Sequence, residues 1–312
     1  MNLMRAALIA LSQGRLLEEA MVQVPAFRLM ARRFVAGETL EEAIASVLEL
    51  RGRGLLATLD YLGENVQNEA EARAAADEYL LALEALELAE IRGCNVSVKL
   101  TQMGLDLSDA ICYANASRIV RKAAEYGNFV RIDMEGSSHT ERTLAIYRRL
   151  RREFSNVGIV IQAYLYRSQA DVEGLIAEEI GHFRLCKGAY DEPATIAYRE
   201  RVRVTQALEE LIRVCLRPES REKGCYCAVA SHDEEVVNFA RAYAYQHDVP
   251  ASVYEFQMLY GIRRELQAEL VRRGYTIRIY VPYGIHWYPY FMRRLAERPA
   301  NLLFFLRALV GN

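Results

Sequence analysis

Four residues near the C-terminus share one helical face and carry groups suited to binding an anion. From His286 onward the sequence takes up helical spacing, and Tyr290, Arg293, Arg294 and Glu297 fall at i, i+3, i+4 and i+7. Two adjacent guanidiniums, a phenol and a carboxylate, flanked by Trp287, Tyr288 and Phe291, fit a small anionic organic molecule. A guanidinium is permanently charged and forked, so it can hold a carboxylate in one orientation. A solvated face with an ordinary i, i+4 Arg/Glu pair accounts for the same spacing. The second stretch is Arg184-Leu185-Cys186-Lys187-Gly188-Ala189-Tyr190. It sets an arginine inside an apolar run, then a lysine, then a glycine where backbone can approach a bulky ligand. Alone, a Lys-Gly pair points only weakly to phosphate. Beside Gln162 upstream and Ser231-His232 downstream, it could hold the ring and pyrophosphate of a nucleotide cofactor.

These residues need elements to position them. Short β-branched or apolar runs lie at 55–59, 96–100, 129–133, 158–163, 182–186, 225–230, 252–256 and 276–281, and read as strands. Amphipathic stretches rich in Ala, Glu, Arg and Leu separate them, among them 69–91, 110–126, 141–154 and 195–216. A strand followed by a helix, repeated along the chain, predicts an α/β fold of the (β/α)8 TIM-barrel type. An open doubly wound sheet allows the same alternation. Polar residues at or just past the strand ends favour the barrel: Asp60 and Glu64, Lys99, Asp133, Gln162, Arg184 with Lys187, Ser231 with His232, Glu255 with Gln257, and Tyr280. A barrel builds its active site at that end, from groups on several strands. Pro282-Tyr283-Gly284 is expected to end the last strand. Residues 1–50 read as helices over 3–21, 24–35 and 40–50, so the chain divides into an N-terminal helical arm, 1–50, and a barrel domain, 51–312, whose last helix covers the C-terminal face.

Composition narrows the function classes. With 312 residues, 52% hydrophobic and 26% charged, the chain reads as an ordinary soluble protein. A net charge of −2 gives no electrostatic reason to expect nucleic acid as a partner. The six cysteines show no C-x-x-C spacing and no histidine at a metal-ligand spacing, so they read as buried thiols of a reducing compartment and no metal is expected. The apolar run 6–11 is too short for a secretory signal, and a cytoplasmic protein is expected. Residues 27–35 mix apolar and basic residues at helical spacing, as a helix resting transiently on a membrane surface does; packing on the barrel explains that pattern equally. Gly52-Arg53-Gly54-Leu55-Leu56-Ala57 matches a dinucleotide fingerprint in letters only, because a helix precedes it and a strand follows. Strand-end lysines Lys99 and Lys187 leave open a Schiff-base lyase or aldolase. A barrel that binds an amino acid without turnover also stays open.

The motifs together resemble a known family. LDYLGE (59–64), SVKL (97–100), RIDMEG (131–136), IQAYL (161–165), RLCKGAY (184–190), ASHDEE (230–235), YEFQMLYG (254–261) and RIYVPYG with YFMRRLAERPAN after it resemble proline dehydrogenase, the flavoenzyme of proline catabolism. The resemblance runs from about residue 50 to the end, and it is similar to the bacterial monofunctional type, with no aldehyde dehydrogenase domain following. It implies FAD-dependent oxidation of L-proline to Δ1-pyrroline-5-carboxylate, with electrons passed to a quinone at the inner face of the plasma membrane. It further implies hand-off of product to a separate pyrroline-5-carboxylate dehydrogenase. Carried over by residue, it implies that Arg293, Arg294 and Lys99 bind the proline carboxylate. Arg184 would lie near the flavin N5, with Asp133 holding the basic groups in place. Tyr280, Leu185, Tyr190 and Tyr290 would wall in the substrate ring, and Glu64 would gate the pocket by pairing with Arg293. Met134, Gln162, Lys187, Gly188, Ala189, Ser231 and His232 would contact FAD, with Glu297 near it. Cys186 and Asp191 stand where related sequences often carry valine and an aromatic residue.

Overall fold

Eight parallel strands close on themselves in sequence order, and helices run between them. The strands are β1 (Leu56–Tyr61), β2 (Cys94–Val98), β3 (Val130–Ile132), β4 (Val157–Gln162), β5 (His182–Cys186), β6 (Tyr226–Ala230), β7 (Tyr254–Leu259) and β8 (Ile277–Tyr283). The helices are α1 (Leu40–Gly52), α2 (Glu69–Leu88), α3 (Asp109–Glu125), α4 (Ser137–Arg151), α5 (Ser168–Ala177), α6 (Arg201–Leu216), α7 (Pro218–Glu222), α8 (Glu234–Gln246), α9 (Arg264–Arg272) and α10 (Trp287–Glu297). The computed structural model describes residue 27 and residues 30–63 and 66–297, with the side chains of Ala296 and Glu297 excepted. Glu64, expected as the gate, the Glu297 carboxylate and the helix expected over 3–21 therefore lie outside the described residues. This closed sheet is the (β/α)8 barrel expected from the alternation, and the open sheet is excluded.

Local chemistry sets the element ends. Thr39 caps α1 by accepting from the Glu42 backbone, and Glu42 reaches back to the cap, a reciprocal pair that starts the helix. Asn68 and Ser108 cap α2 and α3 the same way, through side-chain oxygens. The last strand does not stop at Pro282 but runs through Tyr283, in register with Asp60 and Tyr61 of β1. Proline is tolerated there because β7 ceases to pair at Leu259↔Tyr280. The edge that lacks an N–H thus faces no ladder partner, and the Pro282 carbonyl accepts from Ala36 N at 2.9 Å instead. The seventh strand starts later than its apolar run, because Ala251–Val253 form a 3-10 turn behind Pro250. The sixth helix starts at Arg201 rather than near 195, after residues 193–198 bond back to the loop following β4.

Two cores result. The larger one fills the space between barrel and helices with the outward residues of each strand, such as Leu59, Val96, Ile132, Phe183, Leu185, Val229, Phe256 and Ile279. The smaller one lies over the C-terminal face, where Leu62 after β1 and Ile262 after β7 pack with Trp287, Tyr288, Phe291, Met292 and Leu295 of α10 and with Phe27, Ala31, Phe34 and Val35. Those four residues of the 27–35 run are thus buried inside the protein and present no apolar face to lipid. Gly261 lets this segment approach: its φ is +74°, and a Cβ there would sit 1.7 Å from the Arg33 carbonyl oxygen. Gly261→Ala should therefore destabilise the fold by at least about 1–3 kcal/mol from backbone strain alone. The check is a shift of the urea midpoint, and an unshifted midpoint would show that the segment docks by other contacts.

Candidate active site

The barrel interior is polar where barrels usually carry Val, Ile and Leu. Alternation along each strand turns Asp60, Ser97, Asp133, Arg184, Gln257 and Tyr280 inward, and they are buried or nearly so. Such groups are tolerated inside only when they satisfy one another. Asp133, just past β3, is the hub: Oδ1 accepts from Ser97 Oγ at 2.9 Å and Arg184 Nη1 at 2.8 Å, and Oδ2 accepts from Tyr280 Oη at 2.7 Å. Lys99, just past β2, donates to Asp60 Oδ1 at 2.7 Å and to Tyr280 Oη at 3.1 Å, and its ammonium is 3.6 Å from Asp133 Oδ2. The Arg184 guanidinium lies 5.2 Å from the Tyr280 ring centre.

Environment gives the two carboxylates different properties. Burial raises the Asp60 carboxyl to about 6, even with the Lys99 ammonium beside it. Burial also opposes the charge on Asp133, but Arg184, Lys99 and hydrogen bonds from Tyr280 and Ser97 outweigh it and hold that carboxyl below its usual range. Burial and the neighbouring carboxylates push the Tyr280 phenol well above its ordinary value, so it keeps the proton it donates to Asp133. Among the described residues, Arg184 Nη2 and Asp60 Oδ2 are buried in this cluster without a hydrogen-bond partner. Each is a polar atom left for a ligand or water to satisfy.

A second polar set lines the ends of β3 to β6. Gln162 donates to the Glu135 carbonyl at 2.8 Å and accepts from Ala189 N at 3.0 Å. Lys187 reaches Asp233 at 2.7 Å and Thr205 at 2.7 Å. His232 Nε2 accepts from Leu259 N at 2.9 Å, and Ser231 Oγ accepts from Asp233 N. Gly188 holds φ +130° with Tyr164 packed where a side chain would be; a Cβ would lie 2.4 Å from that ring. Met134 is buried beside this set, whereas Tyr190 is 36% exposed. Leu185 is fully buried and sits on the face of β5 opposite Arg184, toward the helices.

The α10 residues divide by face. Tyr290 is buried in the core over the C-terminal face, and Arg293 and Arg294 are half-buried, with the Arg294 guanidinium 5.1 Å from the Tyr290 ring centre. An ordinary solvated face is thus ruled out for Tyr290 and Arg294. Glu255, expected with Gln257 at the strand end, lies deep in the barrel, ion-paired to Arg278 at 2.8 Å. Sequence reasoning missed Ser97 and counted Gln257 only as a polar group at a strand end, although both touch Arg184. The sequence signal for Ser97 is parity: it lies two residues from Lys99, another inward polar group.

A closed barrel that gathers paired acids and bases at its C-terminal mouth is an enzyme of the (β/α)8 class. A family described as proline dehydrogenase matches residues 43–307 of the chain. Proline dehydrogenase 1 of Bacillus subtilis is 42% identical over 99% of both chains. The proline dehydrogenase of Deinococcus radiodurans is 40% identical over 90% of both. Among solved structures, proline utilization A from Bdellovibrio bacteriovorus, inactivated by N-propargylglycine, superposes with a TM-score of 0.81 at 29% identity. That superposition covers 87% of this chain and 33% of that much longer one. The chain belongs to the proline dehydrogenase family, and it is an oxidoreductase of proline catabolism.

Proposed function

We propose that the chain oxidises L-proline to Δ1-pyrroline-5-carboxylate with bound FAD and passes the electrons to a quinone. The observation that carries this reading is Arg184: a guanidinium fixed in the barrel mouth, with Nη2 buried and awaiting an acceptor. A flavin ring edge offers acceptors of that kind. The donor set beyond it fits the rest of such a cofactor. Gln162, Ser231 and His232 supply polar edges, Lys187 a cation for pyrophosphate, and Gly188 and Ala189 exposed backbone that a large ligand can approach. Met134 adds an apolar wall, and Glu297 is assigned beside the same group.

FAD would supply the two-electron acceptor. The protein's own residues do the rest. Arg293 and Arg294 with Lys99 take the proline carboxylate, and Tyr280, Tyr290 and Tyr190 are assigned to bound the ring; Leu185, expected with them, faces the helices instead. Asp133 keeps Lys99 and Arg184 in place, and Arg184 stabilises negative charge that develops on the cofactor. Glu64 is assigned as the gate through its pairing with Arg293. The lysines argue against Schiff-base chemistry. A lysine nucleophile needs a desolvated or cation-flanked amine, whereas Lys99 and Lys187 are both paired to carboxylates.

A lipid-soluble quinone implies brief contact with the inner face of the plasma membrane by an otherwise cytoplasmic protein, and a separate pyrroline-5-carboxylate dehydrogenase would take the product. No helix among the described residues is long and apolar enough to cross a membrane. Purified protein should show flavin absorption bands that bleach on adding L-proline without air. A protein that stays colourless after incubation with FAD would end the flavin reading.

A further inference from the structure

We infer that Glu255 and Gln257 are positioning residues that aim the Arg184 guanidinium at the cofactor. The inference rests on the FAD reading above. Arg184 crosses the barrel from β5 and is held on two edges: Nε donates to Gln257 Oε1 on β7, and Nη1 donates to Ser97 Oγ at 2.9 Å and Asp133 Oδ1 at 2.8 Å. A planar guanidinium pinned on two edges cannot turn. Its third corner, Nη2, is then the one left without a partner among the described residues.

An amide can present either its oxygen or its nitrogen, and only the oxygen can accept from Arg184. Here Glu255 decides. The Gln257 Nε2 group donates to Glu255 Oε1, an atom that can only accept when ionised, so Gln257 must turn its oxygen toward Arg184. Arg278 keeps Glu255 ionised and still by two bonds, Nε to Oε1 at 2.8 Å and Nη2 to Oε2 at 3.0 Å. Arg278 is in turn fastened to the strand backbone through the Ala57 carbonyl at 3.0 Å and the Gly93 carbonyl. Interactions of the Glu255 carboxylate with Arg278 and Gln257 hold it below its usual range despite burial. Glu255 and Gln257 are 2% and 3% exposed. They form a chain from barrel floor to mouth, and its upper end is Arg184.

The test uses FAD-loaded protein and sulfite, which adds to flavin N5 and leaves negative charge on the ring. Sulfite affinity therefore reads the cation nearby without turnover. Gln257→Met removes both bonds at nearly constant volume. Sulfite should bind about tenfold more weakly, and the flavin potential should fall by about 30 mV, the tenfold equivalent for a two-electron couple. Proline kcat should drop with KM held within about twofold, since the substrate carboxylate is bound elsewhere. Gln257→Asn, which retracts the same acceptor by one methylene, should shift sulfite binding in the same direction by a smaller factor, and it serves if the Met variant does not fold. A purely structural role would lower the melting temperature and leave sulfite affinity and potential alone. Unchanged values of both in FAD-loaded variants would overturn the inference alone. A wild-type chain that binds no FAD would overturn the cofactor reading and this inference with it.

Discussion

Asp133→Asn should lower kcat/KM for proline by at least about a hundredfold, which at 1.36 kcal/mol per factor of ten is about 2.7 kcal/mol. The reason is the number of donors that converge on this one group. Ser97, Arg184 and Tyr280 all donate to it and Lys99 stands 3.6 Å away, whereas an amide replaces one acceptor oxygen by a further donor. Breaking a buried pair by removing one partner leaves the other charge uncompensated, at a cost of about 3–5 kcal/mol. Arg184 and Lys99 would then shift to find other partners. Part of the cost appears as lost activity and part as lost stability.

The stability part has a pH signature. The Asp133 carboxyl is held below its usual range, so its contribution is full above the unfolded value of about 3.9 and is lost as pH falls through the folded one. Asp60 works in the opposite sense. It is raised to about 6, so between the unfolded value of about 3.9 and that point the folded chain holds a proton the unfolded chain has released. Stability falls as pH rises through that window. Melting temperatures measured from pH 7 to pH 3 should therefore decline less steeply at the acid end in Asp133→Asn than in wild type. Parallel curves, or proline turnover within about tenfold of wild type, would show that Asp133 is not the hub.

How much of this was legible depends on what each feature needs from the rest of the chain. The barrel was readable because strand and helix patterns are local: the run 182–186 alternates as a strand does, and the observed β5 is His182–Cys186. The end of β8 was not readable, because a proline's effect depends on whether its empty edge faces a neighbour, and that is set by where β7 stops. Arg184 and Lys99 stood out as charges inside apolar runs, and Asp133 and Gln257 as polar groups at strand ends. Ser97 did not, since a serine in a strand is unremarked until the fold shows which side chain it meets. Glu255 was assigned to the mouth because the apolar run 252–256 put it at the strand's end; β7 begins only at Tyr254, so Glu255 stands near the strand's start, on the floor side. The 27–35 run was ambiguous between lipid and protein because both bury the same amphipathic stripe, and the packing of Phe27, Ala31, Phe34 and Val35 against α10 decides for protein for the residues described.

Arg294→Met should weaken proline binding by about 2–5 kcal/mol, the usual cost of removing one partner from a desolvated charge pair. The charges at the mouth explain why the helix must supply this group. Lys99 and Arg184 bring two positive charges, but Asp60 and Asp133 already engage them. Lys99 can therefore give a substrate carboxylate only a bond additional to its pairing with Asp60, and the net charge must come from elsewhere. Arg293 and Arg294, half-buried on α10, supply charge from outside that balanced set. Methionine keeps much of the length and apolar contact that Arg294 makes against Tyr290, so the substitution removes the charge with little loss of packing. At about 1.4 kcal/mol per factor of ten, kcat/KM should fall by more than an order of magnitude. The same variant should discriminate less between a saturated five-membered-ring carboxylic acid and its neutral amide as inhibitors, because only the acid gains from the guanidinium. A folded, flavin-containing variant whose turnover stays within about twofold of wild type, with that discrimination intact, would place the carboxylate away from Arg294 and leave Lys99 to be freed from Asp60 on substrate binding.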